Sequence, residues 1–343
     1  MKKRPKLRGL GGTPARLTAA ACAALLLAGC GSSNASVDDA SSGGSDYPSQ
    51  PVTLTAPADP GSGWDTTARA LVEAMDKEGL TDSPIPVQNR TGATGCVWLG
   101  QMVSAHKGDD YNISVTSTPI LSTYLRGECD HSYHDVTMIA TIMVENYLLV
   151  VPSDSEYQSA DDLLAAIKQD PQSVPVAASG DDQLPFALLV KAAGGDPSKI
   201  NFIEYEGGGD EITALLNGDV DAAVAGVSEF RGQIESGDLK GLAVMRDKPL
   251  DAPLDDIPTA PSLGYDVTLG NWRGIYGPPG MSQTAISYWQ DKLKQTLDTP
   301  TWDELAKRNQ WTELYLVGDD MKSYLANANE DIKEGLTDIG AIS

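Results

Sequence analysis

The sequence predicts an α/β fold of two domains, each a mostly parallel sheet flanked by helices. Two observations carry this. Apolar strand-like runs alternate with amphipathic helical stretches almost to the C-terminus. About 295 residues follow an N-terminal leader and linker, which is long for one core and ample for two α/β domains. A third observation, the placing of Gly, Ser and Thr after the strands, bears on function.

Val52 to Ala56 reads as a short apolar strand. Trp64 to Glu78 reads as a helix, with Ala68, Leu71, Val72 and Met75 on one stripe. Ile85 to Gln88 is a strand and Cys96 to Ala105 a helix; Asn112 to Ser117, Met138 to Val144 and Asn146 to Val151 are strands. Ser159 followed by Asp162 is an N-terminal capping pattern for a helix through Leu163, Leu164 and Ile167. Val174 to Ala178, Ile200 to Glu204, Ala222 to Ala225 and Leu242 to Met245 are further strands with helical segments between them. After Gly274 to Tyr276 only helices are expected: Ser282 to Leu297, a shorter one after Pro300, and a last one with Met321, Leu325, Ala328 and Ile332 aligned. There is no repeat and no heptad run, and a monomer is expected.

Residues 1–29 resemble a signal peptide. Lys2, Lys3, Arg4, Lys6, Arg8 and Arg16 precede the apolar run Leu17 to Leu27, which is too short for a permanent span. The run ends in Leu27-Ala28-Gly29-Cys30, which resembles the bacterial lipobox and implies a diacylglyceryl thioether on Cys30. A flexible tether over 30–46, rich in Ser, Gly and Asp, follows. Loss of the six basic residues of the leader from 25 leaves 19 against 48 acidic ones, a net charge of −29. Such a surface disfavours nucleic acid and anionic headgroups, so the membrane is reached only through the lipid anchor. Cys22 leaves with the leader and Cys30 takes the lipid; Cys96 and Cys129 remain, and outside the cytoplasm an isolated pair reads as a disulfide.

Four predicted strands end in small-residue loops: Pro57 to Asp65, Asn89 to Gly95, Ser117-Thr118-Pro119 and Ala178 to Asp181. Glycine lets a backbone approach a ligand closely, and free N–H groups at a helix start attract anions. Ligands of open parallel sheets bind at the carboxyl edge of the strands. These loops are therefore candidates for cradling a carboxylate with few charged side chains.

The loop Pro57 to Asp65 resembles the Pro-x-x-x-Gly-Gly-x-x-Asp turn of the solute receptors of tripartite tricarboxylate transporters, the Bug receptors. Gln88-Asn89-Arg90-Thr91-Gly92-Ala93 is similar to their Asn-Arg-x-Gly-Ala loop. Tyr205-Glu206-Gly207-Gly208-Gly209 with Leu215 to Asp221, then Leu242-Ala243-Val244, Asp256 to Thr259 and Trp272 to Gly280, resemble their later landmarks, in order. The resemblance implies a two-lobed, periplasmic-binding-protein-like fold with the ligand in a cleft between lobes at 47–148 plus 270–343 and at 149–269. The crossings are expected near Leu148 to Val151 and near Asn271 to Gly274. It implies a small carboxylate as ligand, delivered to the permease subunits of such a transporter, with no cofactor, no metal and no enzymatic activity. The ligand-binding residues it implies are Gly61, Ser62, Gly63, Trp64, Asp65, Arg90, Gly92, Ala93, Gly95, Ser117, Thr118, Ser179, Gly180, Tyr205 and Gly226.

The chain departs from the pattern at Ser62, at Trp64, and at Glu206, where many relatives carry Lys. Trp64 either stacks on an aromatic or cyclic solute or caps its helix. An aromatic or zwitterionic ligand, or a sensor without a dedicated transporter, is the alternative. Two rivals are weaker. Cys129, His131 and His134 crowd as zinc ligands would, but Cys129 is better used with Cys96. A hydrolase lacks its nucleophile elbow, and the chain has only three histidines.

Overall fold

The computed structural model describes residues 47–343. The leader, Cys30 and the tether to residue 46 lie outside the described residues. The first elements are β1 (Thr53–Ala56), α1 (Gly63–Lys77), β2 (Val87–Asn89), α2 (Cys96–Ala105), β3 (Asn112–Ser117) and α3 (Pro119–Leu125). The strand β1 lies between β2 and β3, parallel to both. Leu71, Ala74 and Met75 of α1 pack under this sheet with Leu54, Ile113 and Val115. Cys96 and Cys129 are bridged, tying the start of α2 to the segment after α3.

The long strand β4 (Thr137–Pro152) follows. It is one strand where the sequence suggests two. The expected break falls at Glu145, between the runs Met138 to Val144 and Asn146 to Val151. The break is absent because the Glu145 carboxylate accepts from Arg273 Nη2 (2.9 Å) and from the Ser228 N–H (2.8 Å). A paired charge does not need to leave the sheet.

Beyond β4 come α4 (Ala160–Gln169), β5 (Val176–Ala178), α5 (Gln183–Ala192), β6 (Phe202–Glu204), α6 (Gly208–Asn217), β7 (Ala222–Gly226), α7 (Val227–Ser236) and β8 (Leu239–Val244). Ser159 caps α4 by accepting the Asp162 N–H. The chain returns through β9 (Gly270–Gly277), α8 (Gln283–Leu297), α9 (Pro300–Asn309), β10 (Thr312–Leu316) and α10 (Gly318–Asp338). The strand β10 was not expected. It is a short, half-exposed edge piece pairing antiparallel with β4, and its few apolar residues leave little period-2 signal.

The strand order is β2-β1-β3-β9-β4-β7-β5-β6, with β8 and β10 also on β4. The β1–β3 and β5–β7 groups are parallel, whereas β4 and β9 run antiparallel to their neighbours. The strand β4 exchanges partners along its length. Thr137 to Asn146 pair with β9, whereas Tyr147 to Val150 pair with β7. The exchange falls just before the stretch Leu148 to Val151 expected from sequence. Separate apolar cores lie on either side of it, one around Leu71, Ile139 and Trp289, the other around Leu149, Leu163 and Phe186.

The helix α10 buries Met321 and Leu325 beside Trp98 and Trp272. Two turns later, Ile332 and Leu336 pack with Leu184 of α5. The C-terminal helix thus touches both halves.

Candidate ligand-binding cleft

The carboxyl ends of β1, β3, β5 and β7 converge where β4 changes partners, and a partly open cavity of about 50 Å³ lies there. One wall is the loop from Pro57 into α1. Gly61 turns with φ of +88° and donates its N–H to Asp65 Oδ2 (2.9 Å). The same carboxylate accepts from Arg69 Nε (2.9 Å) and Asn89 Nδ2 (3.0 Å). Burial would raise the Asp65 carboxyl, but hydrogen bonds from Arg69, Gly61 and Asn89 outweigh it and hold it below the ordinary range. Asp65 is therefore a clamp that shapes the loop, and its oxygens are used internally.

Ser62 caps α1 by accepting the Asp65 N–H. The N–H groups of Gly63 and Trp64 find no acceptor among the described residues. Ser62, Gly63 and Trp64 all line the cavity, so the start of α1 offers it free donors and a positive dipole end. Trp64 is 7% exposed and donates Nε1–H to Ser117 Oγ (2.8 Å). Its ring packs against Gly95, where an added Cβ would come within 3.0 Å of it. Trp64 is a fixed wall of the cleft, and Gly95 is needed to seat it.

The second loop is strained, with positive φ at Gly92, Ala93, Thr94 and Gly95. Thr94 reaches the cavity. Ala93 lines a groove on the flank with Arg126, Gly180 and Glu204, and Gly92 is covered by Val97. Arg90 turns outward, donating to Gln88 Oε1 (3.2 Å) with its guanidinium over the Trp98 ring.

The opposite wall comes from the second half: Ser179 and Asp182 after β5, Glu206 and Gly207 before α6, and Glu229 in the first turn of α7. Ser179 donates to Asp182 Oδ2 (2.8 Å). Glu229 accepts the N–H of Gly208 (3.0 Å) and that of Gly226 (3.3 Å), so one carboxylate caps both α6 and α7. Asn271 and Arg273 of β9 close the floor. Thr118 donates to Asn271 Oδ1 (2.7 Å) beside Tyr147, and Asp181 accepts from Ser122. These side chains knit the halves together where β4 passes from β9 to β7.

The charge balance of the cleft is acidic. Among the described residues Arg273 is the only cationic one lining the cavity, and it is paired with Glu145, which is 0% exposed. Burial, then the charges of Glu229 and Asp181, push the Asp182 carboxyl well above its ordinary range. Burial, then Glu145, pushes Glu229 up to about 7, against the pull of Arg273 and the two amides. Glu211, buried behind them, is raised as well, by burial and then by Asp182 and Glu229.

Of the residues expected from sequence, Ser62, Gly63, Trp64, Ser117 and Ser179 line the cavity, and Gly95 lines a smaller extension beyond Trp64. Gly61, Asp65 and Thr118 support it from behind. Arg90, Gly92, Ala93 and Gly180 lie away from it, and Tyr205 packs on an apolar cluster of the second half. Gly226 faces the Glu145 carboxyl, which an added Cβ would approach to 2.6 Å. Asp182, Glu206, Gly207, Glu229 and Asn271 were not among the expected residues. Glu206 was visible as a departure, and the Gly226-x-x-Glu229 spacing is a capping-box signal. Asp182 has no local signature. Cys129 is bridged, and no group of His, Cys, Asp and Glu among the described residues is arranged to hold a metal.

Two halves that share the strand β4, with a cleft where loops from both meet, define a two-lobed solute-binding protein. Comparison with known proteins gives the family. A profile described as "Tripartite tricarboxylate transporter family receptor" matches residues 67–339, and the chain belongs to that family. Protein BugT of Bordetella pertussis is 26% identical over 288 residues, covering 82% of this chain and 86% of BugT. The structure of the periplasmic binding protein BugD superposes with a TM-score of 0.78 at 22% identity, over 86% of this chain and 99% of BugD. An R. palustris protein, Rpa4515, solved with adipate, gives 0.77 at 19% identity over 86% and 99%. The chain is an extracytoplasmic solute-binding receptor, not an enzyme.

Proposed function

We propose that this receptor captures a small organic acid between its two halves and presents it to the membrane subunits of a tripartite tricarboxylate-type transporter, anchored through a lipid on Cys30. The observation that carries this is the start of α1. Two unused N–H groups, at Gly63 and Trp64, belong to residues lining a cleft at the carboxyl edge of a parallel sheet, a ready site for a carboxylate. Ser117 and Thr94 supply hydroxyls beside it. The lobes follow the partner exchange on β4, with 47–148 plus 270–343 against 149–269. A cavity of about 50 Å³ holds only a few waters at roughly 10–15 Å³ each, so ligand entry requires the halves to part. That Rpa4515 was solved with adipate supports the substrate class.

The test is a thermal-shift screen of small organic acids on purified protein, followed by native mass spectrometry. A ligand at ~100-fold excess over its Kd adds about 2.7 kcal/mol and leaves unchanged in mass. Turnover of every stabilising compound, or stabilisation by none, would reject the proposal.

A further inference from the structure

Among the described residues the apolar clusters divide between the two halves, with one exception. Leu71 and Trp289, and likewise Trp98 and Trp272, sit in clusters of the first half. Leu163 and Phe186, and likewise Ala223 and Phe230, sit in clusters of the second, which begin at Tyr147 and Leu148 where β4 changes partners. The exception joins buried Leu184 of α5 to buried Ile332 and Leu336 of α10, with Leu125 of α3 and Leu188 packed against them.

One stripe of α10 serves both partners. Met321, Leu325 and Ala328 pack in the cluster of Trp98 and Trp272, and Ile332, Leu336 and Ile339 continue the stripe onto α5. On α5, Leu184 and Leu188 form the matching face, whereas Phe186, Leu189 and Val190 serve the core of their own half. Gly335 lets the two helices come close: an added Cβ there would lie 3.4 Å from Leu184 Cδ1 and 3.8 Å from Leu188 Cδ1. The contact is on the cleft side, because Leu184, Leu336 and Ile339 line the same groove as Thr94 and Gly180, the two lips. Ser122 with Asp181, and Gln310 with the backbone of Asp251, also join the halves. Water replaces such hydrogen bonds at small net cost, but it cannot replace apolar burial.

Resting on the reading that solute enters between the halves, we infer that the C-terminal end of α10 is a latch. Its apolar contact with α5 holds the ligand-free receptor closed, and release of that contact sets how often the cleft opens. A contact that favours the closed state also raises the affinity for whatever is held there. The exposed Lys191–Asp338 pair beside it adds little.

The experiment needs no solute. Ser117 is buried in the cavity wall, so Ser117→Cys places one thiol there, while Cys96 and Cys129 stay in their bridge. The rate of its alkylation by iodoacetamide in the ligand-free protein reads the open fraction, with the labelled site confirmed by peptide mapping. Three further substitutions are added singly to this background. Leu336→Ala removes the latch contact and Gly335→Leu wedges it apart. Leu325→Ala is the control, since Leu325 and Leu336 are each 1% exposed on the same helix, but Leu325 packs only within the first half. Both latch variants should be labelled about 10- to 100-fold faster than the background, the range for exposing one leucine, and Leu325→Ala should stay near it. Cooperative urea unfolding shows which variants are folded, and Gly335→Leu keeps every core side chain. Unchanged rates in the latch variants, no labelling in any variant, or an equal rise in Leu325→Ala would overturn the latch. Such a result beside a hit in the thermal-shift screen refutes the latch alone; the receptor reading falls only with the screen.

Discussion

Replacing Arg273 by Met tests how the crossing point of the two halves is held. The Arg273–Glu145 pair joins the neighbouring strands β9 and β4 where β4 changes partners, and both side chains are buried, at 5% and 0% exposure. Removing the guanidinium leaves Glu145 with the Ser228 N–H as its remaining donor. Breaking a buried pair in this way costs about 3–5 kcal/mol. The expected loss at pH 7 is therefore in that range. At roughly 2 °C per kcal/mol for a chain of this size, Tm drops by about 6–10 °C. The double variant Glu145→Gln with Arg273→Met should recover most of the loss, because no charge is left buried. Urea unfolding at pH 7 reads wild type and both variants. A single variant within about 1 kcal/mol of wild type, or a double variant worse than the single, would refute the reasoning.

Other outcomes follow from the same geometry. Replacing Cys96 and Cys129 with Ser opens a loop of 33 residues, and about 3–4 kcal/mol should be lost in urea unfolding; an unchanged midpoint would show that the bridge contributes nothing. The folded Glu229 carboxyl holds its proton up to about 7, whereas the unfolded one releases it near its ordinary value of 4.5. Its contribution is thus greatest at acid pH and declines as pH rises from about 4.5 to 7, by about 3 kcal/mol at most. Glu229→Gln should remove that part of the slope in Tm against pH, and a slope identical to wild type would show that Glu229 titrates normally. At Gly63 an added Cβ would come 2.2 Å from Arg273 Nη2, so Gly63→Ala should abolish ligand binding while unfolding stays cooperative; full binding would mean that this close approach is not needed.

The scaffold was legible where periodicity is strong. The apolar stripe of α1, the cap at Ser159 and the line Met321, Leu325, Ile332 of α10 all stand in the described structure. The unbroken β4 was not legible, because the partner that keeps Glu145 in the strand lies 128 residues away at Arg273. The strand β10 escaped for the opposite reason: it buries too little to leave a pattern. At the cleft, the first wall could be read because it depends on local glycine, serine and a helix start. The acidic wall could not. Asp182 and Glu229 look like ordinary solvated helix charges until the fold carries them against Arg273 and into one cavity. Arg90 shows the converse. It sits in the right loop, yet its side chain turns away to Gln88 and Trp98.

The account rests on ligand entering between the two halves, and a clamp across the cleft tests this most directly. An added Cβ at Gly180 would lie 3.2 Å from Thr94 Oγ1, so Thr94→Cys with Gly180→Cys places two thiols on opposite lips within bridging distance. Exchange of a solute identified in the screen is followed by native mass spectrometry on the reduced and oxidised forms, with the Cys96–Cys129 bridge verified by peptide mapping. The reduced protein should load and release solute freely. The oxidised protein should admit none, and should retain what it held before locking. Equal exchange in both forms would contradict the account and place the binding site outside the cleft.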